Sequence, residues 1–298
     1  MTETFSRPWK WLFTLMATYF IYVLGMMFLP FSAIKNTALL ITVQALAYCF
    51  FLFILSQALK RLGFSLIRLI NPDGIFDLKK FFKPFAIYLA SLAIFSLFRY
   101  LLCPECYTLV QPYRFFTWML PATLFFTPVQ VLFEETIFRS YASRFFQDNI
   151  PNETNKKVLL YSIVTGLLFA IMHVKNPEFN WREFTFVFKD FILFFHTFSF
   201  YFIFGFYLMF ISLKLGSFEV ALALHLANNF FIDFFVGYKD AASLKMPIFF
   251  YNGDIHFLLI SELVFCLASV TFFFYKDYLK QKIKAGVNVK ITKKFKKE

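Results

Sequence analysis

Charged residues are scarce in this chain. Only 16% of its 298 residues are Asp, Glu, Lys or Arg, whereas a soluble domain of this length carries about 25%. Hydrophobic residues make up 59%, and the mean hydropathy is +0.63. This composition excludes an ordinary soluble domain. It predicts an all-α, polytopic transmembrane helix bundle whose solvent is mostly lipid.

Other features that the sequence lacks limit the class of membrane protein further. We find no internal repeat and no separate soluble domain, so residues 1–298 are treated as a single integral membrane domain. We expect no cleavable signal peptide, because the first apolar stretch is long enough to span and lacks a small-residue cleavage site. Cysteines number four, and Cys103 and Cys106 form a Cys-Pro-Glu-Cys step in a loop. Zinc would need two more ligands nearby, so this step is a weak metal or redox signal, or a local disulfide in an oxidising compartment.

Polar stretches divide the sequence into about eight apolar segments, each near the roughly 20 residues that a transmembrane helix requires. The fifth and seventh are short, so we expect either one to be a partial or re-entrant span. The segments are approximately 9–29, 37–59, 82–102, 116–138, 158–174, 187–213, 218–236 and 255–275.

Basic residues give the expected orientation. If every segment crosses, Lys and Arg are concentrated on the side that holds both termini, which predicts cytoplasmic termini. The net charge of +12 is carried by loops and by the basic tail 276–298, so anionic lipid headgroups are the expected partner and nucleic acid is not. The region 60–83 mixes apolar and basic residues, and we expect an amphipathic segment on the cytoplasmic surface.

One apolar run nevertheless contains three charges, Phe133-Glu134-Glu135-Thr136-Ile137-Phe138-Arg139. Each charge at the bilayer centre costs about 2.5 kcal/mol or more, so the cluster needs a reason. Glu135 and Arg139 are four residues apart and share a helical face, in the order that favours an ion pair. Glu134 is turned about 100° away, onto the face of Gln130. Glu134 is therefore a candidate catalytic acid or base; the alternative is one structural network of all three charges.

Two further segments carry candidate partners for Glu134. One ends with Phe169-x-x-x-His173, in which the two side chains lie one turn apart. The other contains His225 and Asn229 on one face, flanked by Asn228. Polar groups are costly in such segments and therefore indicate function. The alternatives are a histidine that caps a helix end and polar side chains that hydrogen-bond between helices.

The three segments together resemble the motifs of the CAAX protease and bacteriocin-processing family, also called Abi, which includes the type II CAAX prenyl endopeptidases. The resemblance covers roughly residues 121–236, which we take as the catalytic core. The matching positions are Glu134-Glu135-x-x-x-Arg139, Phe169-x-x-x-His173 and His225-x-x-x-Asn229, in that order.

The resemblance implies an intramembrane glutamate endopeptidase. Glu134 would be the general base and His173 would help it to activate a water, while His225 and Asn229 would stabilise the oxyanion. The supporting residues would be Glu135, Arg139, Phe169 and Asn228.

The resemblance implies no cofactor, and zinc is the alternative. Glu134, His173 and His225 would then be its ligands, because two histidines and a glutamate form a known catalytic zinc set. No His-Glu-x-x-His pair is present to place two ligands on one helix, which favours the metal-independent reading.

The resemblance also limits the expected substrate to a peptide or lipidated protein at the membrane. Removal of a prenylated tail and processing of a bacteriocin or pheromone stay open as alternatives. The compact chain favours a bacterial plasma membrane protein. A non-catalytic immunity or scaffold protein on the same fold should have lost at least one motif residue, and a transporter should show internal repeats.

Overall fold

The computed structural model describes residues 8–27, 34–110, 118–143, 155–179, 185, 187–238, 247–253 and 259–276. Nine α-helices lie in these ranges. They are α1 (Pro8–Met27), α2 (Thr37–Arg61), α3 (Leu66–Ile70), α4 (Leu78–Leu102), α5 (Met119–Glu135), α6 (Asn155–His173), α7 (Phe188–Leu215), α8 (Glu219–Phe234) and α9 (Leu259–Lys276). A π-helix, Thr136–Tyr141, continues α5, and short 3₁₀ helices occupy Pro104–Cys106 and Pro177–Phe179.

The predicted all-α polytopic membrane fold is confirmed. Five of the helices in the described ranges, α2, α4, α6, α7 and α9, are long and apolar enough to cross a membrane. The eight predicted segments correspond to these five together with α1, α5 and α8. At 16 residues, α8 is about 24 Å long, and twelve of its residues are buried. It is therefore an inner helix that neighbouring helices surround.

The helices pack around a core that surrounds α8. Helix α6 packs along α7, α4 packs along α8, and α2 packs along α5. Close contact between α6 and α7 depends on Gly166 and Gly205. A Cβ atom at Gly205 would lie 2.9 Å from the Phe169 Cβ, and one at Gly166 would lie 2.9 Å from the Phe202 carbonyl oxygen. Small residues allow this backbone approach, as is common between membrane helices.

The α7–α8 connection is a tight turn. Helix α7 ends at Gly216, whose φ of 65° is in the left-handed region that glycine adopts without strain. Three residues later α8 begins at Glu219, which is fully buried. The Glu219 carboxylate accepts hydrogen bonds from the Asn71 side-chain amide (2.7 Å), the Asp77 backbone N–H (3.0 Å) and the Ser217 hydroxyl. It thereby ties this turn to the segment between α3 and α4.

Glu219→Ala is expected to destabilise the protein by at least about 2 kcal/mol, because three donors lose a charged acceptor in a buried position. The thermal unfolding midpoint of the purified protein in detergent measures this. Glu105→Ala, at an exposed glutamate in the Pro104–Cys106 turn, is the control and should leave the midpoint unchanged. An equal midpoint for Glu219→Ala and the wild type would contradict the structural role.

The region 60–83 differs from its prediction as a surface amphipathic segment. Residues 60 and 61 end α2, residues 78–83 begin α4, and between them only the five-residue helix α3 forms. The α3 residues Leu69 and Ile70 are buried against other helices. The Ile70 carbonyl also accepts a hydrogen bond from the Phe218 N–H, which fixes the segment against the α7–α8 turn. Leu69 packs in a cluster with α2 and the π-helix, and Ile70 packs in a cluster with α5, α6 and α7.

A small sheet connects three loops at the other end of the bundle, which we call the sheet end. Strand β3 (Phe249–Tyr251) pairs antiparallel with β1 (Tyr107–Leu109) and parallel with β2 (Val236–Tyr238). Cys103 and Cys106 form a disulfide immediately before β1. Arg99, in the last turn of α4, pairs with Glu262 of α9 at 3.1 Å and donates a hydrogen bond to the Tyr107 hydroxyl. The sheet end is thus fixed by backbone pairing, by a disulfide and by an ion pair.

Candidate active site

The charge cluster lies where α5 changes into the π-helix. Glu134 and Glu135 are the last residues of α5, and Arg139 lies in the π-helix. A π-helix is rare and occurs often at functional sites. The ion pair expected from the spacing is present, with the Arg139 Nη1 3.0 Å from the Glu135 Oε1, and both side chains are fully buried. The Arg139 guanidinium also lies 4.1 Å above the Phe169 ring, and this cation–π contact stabilises the buried positive charge.

Glu135 has a second partner, which the sequence did not indicate. The Glu135 Oε1 lies 2.6 Å from the Nδ1 of His225 on α8. A carboxylate paired with arginine accepts hydrogen bonds, so the His225 Nδ1 donates and the Nε2 points away from Glu135. The charge pair therefore also orients a histidine of another helix.

Glu134 faces away from this pair, as the helical spacing predicts. Its Oε1 accepts a hydrogen bond of 3.0 Å from the Gln130 Nε2. Its Oε2 lies 3.7 Å from the His173 Nε2 and 3.7 Å from the His225 Nε2. Two histidines from different helices thus converge on one carboxylate oxygen.

His173 is held with the same orientation by different means. Its Nδ1 lies 2.6 Å from the Phe169 carbonyl oxygen, which can only accept, so the Nδ1 carries the hydrogen. The Nε2 is then directed toward Glu134. Separations of 3.7 Å are too long for direct hydrogen bonds.

Asn228 and Asn229 lie on α8, the helix that also carries His225. The Asn228 Nδ2 donates to the Asn229 Oδ1 at 3.3 Å, and the Tyr88 hydroxyl donates to the Asn228 Oδ1 at 3.5 Å. Because the Asn229 oxygen is occupied by Asn228, the Asn229 amide nitrogen is the group that can donate to a substrate oxygen. Asn228 therefore orients Asn229.

These side chains line one pocket, the polar pocket. Its walls are Gln130, Glu134, Phe169, His173, Asn176, Glu178, Phe200, Tyr201, Phe204, His225, Asn228, Asn229, Ile232 and Tyr238. All of the predicted catalytic residues are among them. Glu135 and Arg139 lie behind the pocket wall, where Glu135 contacts His225 and Arg139 contacts Phe169.

A larger and more open cavity, the apolar cleft, lies on the other side of Glu134. It lies between α1, α2, α5 and α6, and apolar and aromatic side chains such as Leu40, Tyr48 and Phe133 form most of its walls. The cleft and the polar pocket share Gln130, Glu134, His173 and Asn176. Glu134 is therefore reached from an apolar side and from a polar side.

Sequence reasoning missed four polar residues of the pocket: Asn176, Glu178, Tyr201 and Tyr238. Asn176 and Glu178 follow His173 by three and five residues, so their nearness in sequence could have indicated that they belong to the site. Tyr238 gave no signal, because it comes from β2 after α8. Burial raises the pKa of the Tyr238 phenol well above its usual value, with the nearby Glu178 carboxylate as the second cause. Tyr238 therefore remains a protonated donor, and it donates to the Glu178 Oε1 at 3.5 Å.

The chain is similar in sequence to known proteins. The chain is 24% identical over 280 residues to an uncharacterized protein of Bacillus subtilis (strain 168), YyaK, an alignment that covers 83% of this chain and 87% of that protein. No solved structure matches the chain. Residues 113–231 match the family model described as Type II CAAX prenyl endopeptidase Rce1-like, a family of intramembrane CAAX-type proteases. The family that the three motifs predict is therefore the one whose model matches residues 113–231 of this chain.

Proposed function

We propose that the protein is an intramembrane endopeptidase in which Glu134 is the general base. The observation that carries this proposal is the convergence of the His173 Nε2 and the His225 Nε2 on the Glu134 Oε2. A water held between Glu134 and His173 would lose a proton to Glu134 while its oxygen attacks the peptide carbonyl carbon. Glu134 would then deliver this proton to the leaving amine as the carbon–nitrogen bond breaks.

His225 and Asn229 are placed to stabilise the oxyanion that forms. Asn229 donates from its amide nitrogen, and His225 donates from Nε2 when both ring nitrogens carry hydrogen. The carboxylates of Glu134 and Glu135 lie on either side of the His225 ring as counter-charges for that form. Donors that are fixed in advance by their neighbours stabilise a developing charge without reorganisation.

The substrate that fits best is a peptide with an apolar or lipidated part. The apolar cleft leads from the helix surfaces of α1, α2 and α5 directly to Glu134, and an acyl or prenyl chain would lie there as it does in lipid. The polar pocket would hold the peptide bond and the water. This assignment covers both a prenylated protein and an apolar processed peptide.

Metal independence is part of the proposal. Within the described ranges, Glu134, His173 and His225 do not bring three ligand atoms within 4.8 Å of one another, whereas Cys103, Glu105 and Cys106 do. Histidines oriented by a carboxylate and by a carbonyl would nevertheless suit zinc as well. Removal of metal is therefore the decisive treatment.

The test is proteolysis by the purified protein in lipid vesicles, with a farnesylated peptide and its unmodified counterpart, each with and without a strong chelator. We expect cleavage that the chelator leaves unchanged and that the farnesyl group accelerates. Loss of cleavage with chelator, restored by zinc, would replace the glutamate mechanism by the zinc mechanism. A wild-type protein that cuts neither these peptides nor a proteome-derived peptide library would favour a non-catalytic membrane protein.

We also propose that both termini are cytoplasmic in a bacterial plasma membrane. The basic residues of the loops and tail would then contact anionic lipids, and the sheet end with its disulfide would face the oxidising outer side. In intact cells treated with an impermeant reductant, an impermeant maleimide should label Cys103 and Cys106. Cys103→Ser/Cys106→Ser is the control and should not be labelled. Labelling only in inverted vesicles would reverse the orientation.

A further inference from the structure

His173 is the last residue of α6, where the helical hydrogen bonds end. Its Nδ1 contact with the Phe169 carbonyl fixes one ring nitrogen, but one hydrogen bond allows the imidazole ring to rotate about it. The plane of the ring therefore depends on how the ring is packed.

Two aromatic rings contact the imidazole of His173. The Tyr201 ring of α7 is stacked on one face of it at 4.5 Å with an interplanar angle of 21°, and the Phe169 ring, tilted by 46°, lies 4.1 Å away beside both rings. Phe179 is stacked behind Tyr201 at 6.0 Å and 14°. The imidazole is therefore one layer of a stack, and a planar ring in such a stack keeps a fixed plane.

Tyr201 is itself fixed by two features. Its hydroxyl accepts a hydrogen bond of 2.9 Å from the Asn176 Nδ2, three residues after His173 in the chain. One turn further along α7, Gly205 lets Phe169 approach the helix backbone, so Phe169 rests on the same face of α7 as Tyr201. The face of α7 formed by Tyr201 and Gly205 thus acts as a seat for the Phe169–His173 pair.

We infer that Tyr201 is a positioning residue, which directs the His173 Nε2 toward Glu134 by stacking on the imidazole. Its effect on the reaction rests on the proposed role of His173. The stacking supplies the orientation, and the hydroxyl group ties Tyr201 to Asn176 and Glu178. Removal of the ring should therefore matter much more than removal of the hydroxyl.

The experiment compares Tyr201→Leu with Tyr201→Phe, and both with Tyr207→Leu as the matched control. Tyr207 lies on the same helix, but its hydroxyl contacts Thr271 of α9 at 2.9 Å, away from the site. We expect Tyr201→Leu to lower kcat by at least about tenfold, with KM within about threefold of the wild type, because misplacement of a catalytic group by about 1 Å costs up to 10²-fold. Tyr207→Leu should retain kcat within about threefold, and Tyr201→Phe, which keeps the ring, should lose less than Tyr201→Leu.

A second measurement does not depend on proteolysis. Ring carbon and nitrogen chemical shifts of labelled histidine, assigned with His173→Gln, report which nitrogen of His173 carries the hydrogen. The wild type and Tyr201→Phe should show the Nδ1–H form alone, and Tyr201→Leu should show a mixture. A single form in Tyr201→Leu, or equal losses in Tyr201→Leu and Tyr201→Phe, would overturn the inference. If the wild type cuts no peptide, the proposed function fails while the shifts still decide whether Tyr201 orients His173.

Discussion

Glu134→Gln is expected to lower kcat/KM by about 10²–10⁴-fold, the range that a positioned general base contributes. Glutamine has the shape of glutamate and still accepts the hydrogen bond from Gln130, but it cannot take a proton from water. The Glu134 side chain is mostly buried between His173 and His225, so no carboxylate from solution can take its place. Initial rates of peptide cleavage at several substrate concentrations provide the measurement.

Two controls separate chemistry from folding in this variant. Glu105→Gln makes the same change at an exposed glutamate far from the pocket and should cleave like the wild type. The thermal unfolding midpoint of Glu134→Gln should stay at the wild-type value, because Glu134 has no ion pair with Arg139. Cleavage by Glu134→Gln at the wild-type rate would contradict the mechanism proposed for this site.

Glu135→Leu is expected to destabilise the protein by about 3–5 kcal/mol, because it leaves the fully buried Arg139 charge without its counter-ion. The cation–π contact with Phe169 remains, but it supplies only about 2 kcal/mol in a desolvated site. Thermal unfolding in detergent should show a large decrease in the midpoint. The same variant should also lose activity, since the His225 Nδ1 loses its acceptor.

The double variant Glu135→Leu/Arg139→Leu distinguishes the two roles of Glu135. Replacement of a buried ion pair by apolar residues of similar volume is often close to neutral, so most of the stability should return. Activity should not return, because His225 still lacks the carboxylate that orients it. A double variant that regains full activity would show that Glu135 serves only as the counter-ion of Arg139, and a stable Glu135→Leu would contradict the buried charge pair.

The parts of the site that the sequence predicted are local. The Glu135–Arg139 pair and the Glu134–Gln130 hydrogen bond both join residues four apart on one helix, and helical geometry alone places such residues together. The grouping of Glu134 with His173 and His225 came from the family resemblance, because helix periodicity says nothing about which helices are neighbours. The roles assigned to these residues remain predictions until the variants are measured.

The parts that the sequence did not predict depend on contacts between segments. The hydrogen bond from His225 to Glu135 connects residues 90 positions apart. Tyr201 is one ring among many in an aromatic helix, and its position against His173 depends on how α6 packs on α7. The region 60–83 was predicted wrongly for the same reason. Its alternation of apolar and basic residues fits a surface helix, yet α3 is short and its apolar side chains are covered by other helices.

The sequence by itself determined the solvent of this protein and predicted its chemistry. Scarce charge and long apolar segments required a helical bundle in lipid, and three polar motifs within such segments indicated a function. Only the tertiary structure decided which faces of the helices form the core. Lipid tails are as apolar as a helix surface, so hydropathy does not distinguish Phe204, which is 2% exposed, from Phe53, which is 61% exposed. Helix packing makes that distinction, and the same packing brings His173 and His225 to one oxygen of Glu134.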